Sequence, residues 1–113
     1  APPFSVPEAD VPVLLAWAGP GDVFVDAEAE FQYNDGDPTH FSFDVASRHF
    51  SERLRREGHF VVECIGEYPH GGLPPDPFGT VWPFLADHPR GATPEPYIGQ
   101  GLPDDLAELC TVP

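Results

Sequence analysis

Two apolar runs and the segment between them constrain the fold of this chain more than anything else in it. Residues 11–17 read Val-Pro-Val-Leu-Leu-Ala-Trp and residues 60–65 read Phe-Val-Val-Glu-Cys-Ile. Each is strand-sized; Gly19 lies two residues beyond the first and Gly66 directly follows the second. The first run is continuously apolar rather than alternating, which fits a strand buried on both faces of a parallel sheet. Pro12 sits near its start, where a missing N–H is tolerated. Between the runs, Ala46, Phe50 and Leu54 recur at i, i+4 and i+8, and Val45 widens the stripe. That spacing predicts a helix with one apolar face over residues 44–57. Asp44 is its expected N-cap and Gly58 its stop. Strand, helix, strand in this order predicts a βαβ unit with parallel pairing.

The rest of the chain is arranged around that unit. Residues 1–10 read as an extended, proline-rich lead-in. Gly19-Pro-Gly-Asp22 ends the first strand with turn chemistry, and residues 23–25 are expected to pack back on the sheet edge. Residues 30–43 read as an inserted loop or small hairpin pinned by Phe31, Tyr33, Phe41 and Phe43. After the second strand a short loop presents His70 between Pro69 and Gly71. A short aromatic helix follows, capped by Thr80, with Pro83 in its first turn and its end at His88. Trp82, Phe84 and Leu85 are its expected core contacts. Residues 92–113 form a loop-rich tail in which one helical turn at 103–109 brings Cys110 back toward Cys64. With 113 residues the chain is one domain; its 16 Pro and 11 Gly predict short elements joined by ordered loops. Nine Phe and two Trp argue against disorder, since they carry much of the buriable area.

The formal net charge is −14 with only five basic residues, so nucleic acid and anionic lipid are excluded as favoured partners. Arg48, Arg53, Arg55 and Arg56 all fall on the predicted helix, where the last-turn arginines complement its dipole. No run reaches the ~20 apolar residues of a membrane helix. The chain begins at Ala1 without a basic or apolar leader, so we expect a processed product or a fragment. Two cysteines, Cys64 and Cys110, predict a disulfide in an oxidising compartment, or two buried thiols otherwise. The pair and the acidity point to a secreted or periplasmic location.

A strand that delivers a histidine to a loop is a common way of placing a general base. Around His70 the chain carries a resemblance. Val11-Pro-Val-Leu-Leu-Ala-Trp-Ala-Gly-Pro-Gly-Asp22-Val-Phe-Val resembles the penultimate strand and acid turn of α/β-hydrolase serine esterases. Gly58-His-Phe-Val-Val-Glu-Cys resembles their last strand, Tyr68-Pro-His70-Gly-Gly their histidine loop, and Trp82-Pro-Phe-Leu-Ala-Asp-His-Pro their terminal helix. The similarity is closest to dienelactone-hydrolase-like and polyester-depolymerase-like enzymes. It covers roughly residues 11–91, which correspond to the last third of a whole hydrolase. Pro69 stands where that family usually has glycine.

The resemblance implies an α/β fold, specifically the C-terminal part of an α/β-hydrolase. It would be a single partial domain over 1–113 with a short parallel sheet of two main strands, helices packed on it and Pro/Gly-rich loops. It makes Asp22 the triad acid and His70 the general base. The chemistry agrees: a carboxylate fixes the imidazole tautomer and stabilises its protonated form, while the other ring nitrogen takes the nucleophile's proton. Both residues follow the C-terminal end of a predicted parallel strand, where such folds place their sites. The competing readings are an ordinary turn aspartate and a loop histidine satisfied by backbone, with Asp26 as an alternative acid.

The nucleophile is missing. Ser5, Ser42, Ser47 and Ser51 lack the Gly-x-Ser-x-Gly setting, and neither cysteine matches it. The resemblance therefore implies a segment of a carboxylic-ester hydrolase that is inactive alone. Its partners would be a small or polymeric ester in the whole enzyme and the missing N-terminal part. No cofactor is implied. Metal binding is disfavoured, since no His-x-x-x-His or Cys-x-x-Cys occurs and Asn34-Asp-Gly-Asp37 lacks the later glutamate of a calcium loop. The alternative is a small acidic α/β binding module without catalysis.

Overall fold

The computed structural model describes residues 11–66, 81–89 and 94–113. Over these the chain runs β1 (Val13–Trp17), β2 (Val23–Val25), β3 (His40–Ser42), α1 (Phe43–Arg56), β4 (Val61–Ile65), α2 (Val81–Asp87), α3 (Pro96–Gln100), α4 (Asp104–Leu109) and β5 (Cys110–Thr111). The strand–helix–strand unit is present. β1 and β4 pair in parallel from Val13↔Val61 to Trp17↔Ile65, and α1 packs on both. The sheet is mixed rather than purely parallel, because β5 adds antiparallel on the far side of β4 to give the order β1-β4-β5.

β4 is central, and its Val61, Val62, Glu63 and Cys64 are all buried. The pleat sends alternate side chains to opposite faces. Val62 and Cys64 join Phe84, Tyr97, Leu106 and Cys110 in a core closed by the C-terminal helices, with Leu14 and Phe60 packed against it. Val61 faces the other way, toward the α1 side. β1 departs from expectation: it is only half-buried along most of its length, and Ala16 is exposed. Among the described residues β1 is the outermost strand of the sheet. Val13 N donates to Phe60 O at 2.9 Å and Trp17 O accepts from Gly66 N at 3.1 Å. Alternate residues of a parallel strand face one neighbour, so Leu14 and Ala16 turn their backbone groups outward.

The cap of α1 lies two residues before the expected place. Ser42, not Asp44, is the N-cap, and its Oγ accepts from Val45 N at 3.1 Å. A serine hydroxyl caps as well as a carboxylate. Asp44 is thereby released into the first turn, where the helix dipole favours its charge. It is buried there and accepts from Trp17 Nε1 at 2.6 Å and Arg48 Nε at 3.1 Å. Ala46 and Leu54 are buried as the periodicity predicts. At the other end Gly58 takes φ +90°, a left-handed conformation that costs glycine little.

Residues 23–25 do not pack on the main sheet. β2 pairs antiparallel with β3 in a separate two-stranded sheet, so 30–43 is not a hairpin of its own but supplies the connecting loop and second strand of one that begins at Val23. Phe24, Phe31, Phe41 and Phe43 follow one another edge-to-face, with centroids 6.3, 5.6 and 4.8 Å apart. These edge-to-face contacts join the two strands of the hairpin and its loop to the start of α1, although Phe24 is more than half exposed. Tyr33 rests on His49 at 5.3 Å.

At the C-terminal end Cys64 and Cys110 form a disulfide, and α4 brings Cys110 to β4 as the sequence predicts. α3 was not expected. Glu95 caps it, Pro96 occupies its first turn, and Gly101 at φ +75° ends it. In α2 only Phe84 of the expected contacts is buried; Trp82 and Leu85 are more than half exposed. Phe84 and His88 are four residues apart and share the inward face, which turns positions 82 and 85 away from it. No helix among the described residues is long and apolar enough to cross a membrane.

Candidate functional site

Parallel pairing brings the C-terminal ends of β1 and β4 side by side, and the turn after β1 is built against the end of β4. Gly19 adopts φ +93°, and a Cβ placed on it would lie 3.6 Å from Ile65 Cγ2 and 3.7 Å from Gly66 O. The turn closes through Asp22 N donating to Gly19 O at 3.0 Å. Asp22 is buried, and its Oδ2 accepts from Ala18 N at 3.3 Å. Its carbonyl accepts from Phe43 N at 2.9 Å, which ties the turn to the start of α1. Sheet and helix together therefore hold this carboxylate at the sheet's C-terminal edge. A fixed carboxylate at such an edge can orient an imidazole and stabilise its protonated form.

His70, the expected general base, lies outside the described residues. The segment leading to it leaves β4 through Gly66, whose N–H is bonded to Trp17 O. The ring partners of the other histidines lie elsewhere. His40 sits between Asp35 and Asp37, at 3.2 and 3.4 Å. His49 stacks on Tyr33. His59 is buried with Nδ1 3.1 Å from Val11 O, fastening the chain just before β1. His88 Nδ1 lies 2.7 Å from Phe84 O, and its Nε2 meets Glu95 Oε1. Both ring nitrogens of His88 are engaged and its side chain is 5 % exposed, so none is left to accept a proton from a nucleophile.

Asp26, the alternative acid, is exposed and accepts from Glu28 N of its own loop at 3.0 Å. The loop that faintly matched a calcium motif turns its carboxylates on His40 and its own backbone instead. The hydrogen bond from His40 holds the Asp35 carboxyl below its ordinary value, and that from the Thr39 hydroxyl does the same for Asp37. Among the described residues, no group of three or more His, Cys, Asp or Glu is placed to hold a metal ion.

The described serines are unsuited to attack. Ser42 caps α1 and is 1 % exposed, while Ser51 is fully buried inside α1. Ser47 lies within the same helix, and both cysteines are spent in the disulfide. None stands at the strand-to-helix elbow that exposes a nucleophile.

Two features were not read from sequence. One is Asp44 as the buried acceptor of Trp17 Nε1; the apolar run hid it, because nothing in 11–17 signals where an indole N–H will find its acceptor. The other is the network of His88, Glu95, Tyr97 and Asp87. Glu95 Oε2 accepts from Tyr97 N at 3.0 Å, and Tyr97 Oη donates to Asp87 Oδ2 at 2.7 Å. Burial raises the Tyr97 hydroxyl above its ordinary range, and the bond to Asp87 raises it further. The signal for it was Glu95-Pro96, a cap followed by a first-turn proline. No family model matches the chain, and neither a curated protein nor a solved structure matches it.

Proposed function

We propose that this chain is the C-terminal portion of an extracytoplasmic α/β-hydrolase that cleaves carboxylic esters, contributing the triad acid Asp22 and the general base His70. The observation that carries the reading is the shared edge. Gly19, in the turn that carries Asp22, lies against Ile65 and Gly66, and the chain passes Gly66 four residues before His70. Four residues span at most about 14 Å, so this reading requires only a short excursion from Gly66 to bring an imidazole to the carboxylate. The disulfide fits an oxidising compartment.

In this reading Nδ1–H of His70 donates to Asp22, and Nε2 takes the proton of a serine supplied by another part of the fold. Asp22 stays ionised and stabilises the imidazolium; His70 then returns the proton to the leaving alcohol. The open side of β1 is where further strands, carrying the serine and the oxyanion donors, would join the sheet. The chain by itself forms no acyl-enzyme, because it lacks the groups that bond to and stabilise the acyl carbon.

Ring-nitrogen NMR of the purified chain tests the dyad. His70 is expected as the Nδ1–H tautomer, and Asp22→Asn is expected to shift it away from that form. An unchanged His70 tautomer in the variant would remove Asp22 as its partner. Hydrolysis of p-nitrophenyl esters is expected to be absent. Activity in the isolated chain that disappears with His70→Ala would overturn the claim that the nucleophile lies elsewhere.

A further inference from the structure

A groove of about 270 Å³ opens between the end of α2 and the α3–α4 link, lined by Asp87, Pro96, Tyr97, Gln100, Gly101, Leu102 and Pro103. Nothing in the hydrolase reading uses it. We infer that this groove binds an organic cation, a primary ammonium or guanidinium on a short apolar stem, with Asp87 as its counter-charge.

The lining chooses the class. Among the described residues Asp87 is the one charged group in the wall, so an anion meets repulsion from it. A neutral apolar guest would strip water from the carboxylate and give it nothing in return. A cation on a stem satisfies both parts: its N–H groups reach Asp87, and its methylenes lie along Pro96, Tyr97, Leu102 and Pro103. The carboxylate is pre-set for this. Asp87 Oδ2 accepts from Tyr97 Oη at 2.7 Å, which fixes its orientation, and that hydroxyl is its only hydrogen-bond partner among the described residues. Oδ1 is left for a guest. Gln100 adds an amide oxygen able to accept a second N–H.

Other carboxylates of the chain already hold an internal base: Asp44 pairs with Arg48, Glu57 with Arg53, Glu95 with His88. The sequence has no lysine, and none of its arginines is bonded to Asp87 among the described residues. Size narrows the guest further. Small-molecule pockets run from about 300 Å³ upward, so this one suits a guest of side-chain size. A free alkylamine and a basic side chain of a peptide share that chemistry.

Amide NMR titration of the whole chain decides it, with n-butylammonium, acetyl-lysine methylamide and 1-butanol as probes. Both cations are expected to shift Asp87, Tyr97, Gln100, Gly101 and Leu102 saturably, while 1-butanol leaves them in place. Tighter binding of the lysine amide than of butylammonium would mark a peptide as the source; the reverse would mark a free amine. Asp87→Asn keeps an acceptor for Tyr97 and is expected to weaken binding by about tenfold. Gln100→Ala, at an exposed position, is expected to weaken it by about twofold. Equal shifts with 1-butanol, parent-like titration of Asp87→Asn, or shifts spread evenly over the acidic 26–37 loop would each overturn the assignment.

Discussion

Asp44 shows how much one residue can change role without changing identity. Its sequence position suggests a cap, yet it is an internal acceptor. Its Oδ1 takes the Trp17 indole N–H at 2.6 Å, and Arg48, 5.8 Å from the Trp17 ring centroid, donates to the same oxygen. Asp44→Ala leaves a buried indole N–H without an acceptor. Denaturant titration is expected to show a loss of about 1–3 kcal/mol, and Asp44→Asn, which retains an acceptor, a smaller one. The exposed carboxylates behave differently. Asp35 and Asp37 have folded values depressed below 3.8 by His40 and Thr39. Their contribution to the hairpin loop is therefore whole above the unfolded value and is lost as pH falls through the folded ones. The protection factors of the Gly36 and Thr39 amides, corrected for the intrinsic pH dependence of exchange, are expected to fall below about pH 4, while those of β4 stay unchanged. Protection at Thr39 that persists to pH 2 would refute the linkage.

Among the elements, legibility followed how local the signal was. The 46/50/54 stripe and Gly58 located α1 because helix periodicity and a left-handed stop are written in adjacent residues. The pairing of β1 with β4 was readable because a helix between two strands leaves one simple arrangement. The destination of 23–25 was not. Its partner was chosen by the Phe24–Phe31–Phe41–Phe43 file, a set of contacts spread over twenty residues (residues 24 to 43 inclusive). Burial of Phe84 without Trp82 and Leu85 likewise depended on which face of α2 met the core. For the candidate site, the Asp22 turn was legible from Gly19-Pro-Gly-Asp22. The anchoring of that turn on Ile65, Gly66 and Phe43 was not, because it arises from the register of two strands distant in sequence.

At the scale of the whole molecule the disulfide adds a covalent tie between the C-terminal region and the central strand. It joins residues 46 apart and ties the short β5 and α4 to the central strand. A loop of that length is worth about 4 kcal/mol on the chain-entropy picture. Replacing both cysteines by alanine is expected to lower unfolding stability by about that amount, read by urea titration of the oxidised parent against the variant. A parent and variant of equal midpoint would show that α4 and its Leu106 hold the region unaided.

Among the described residues, the sheet ends at the short β5 on one side and at β1 on the other. β5 and its covalent bond close the side beyond β4, whereas β1 offers the outward amides and carbonyls of Leu14 and Ala16. Such a margin is a template for any extended chain that meets it, including another copy of itself. Acidity then acquires a second meaning. Two copies approaching margin to margin each bring a formal charge of −14, and their mutual repulsion guards what the fold leaves uncovered. Salt shortens the reach of that guard to about 8 Å at physiological strength, so the colloidal behaviour of this chain is governed by ionic strength as much as by its fold.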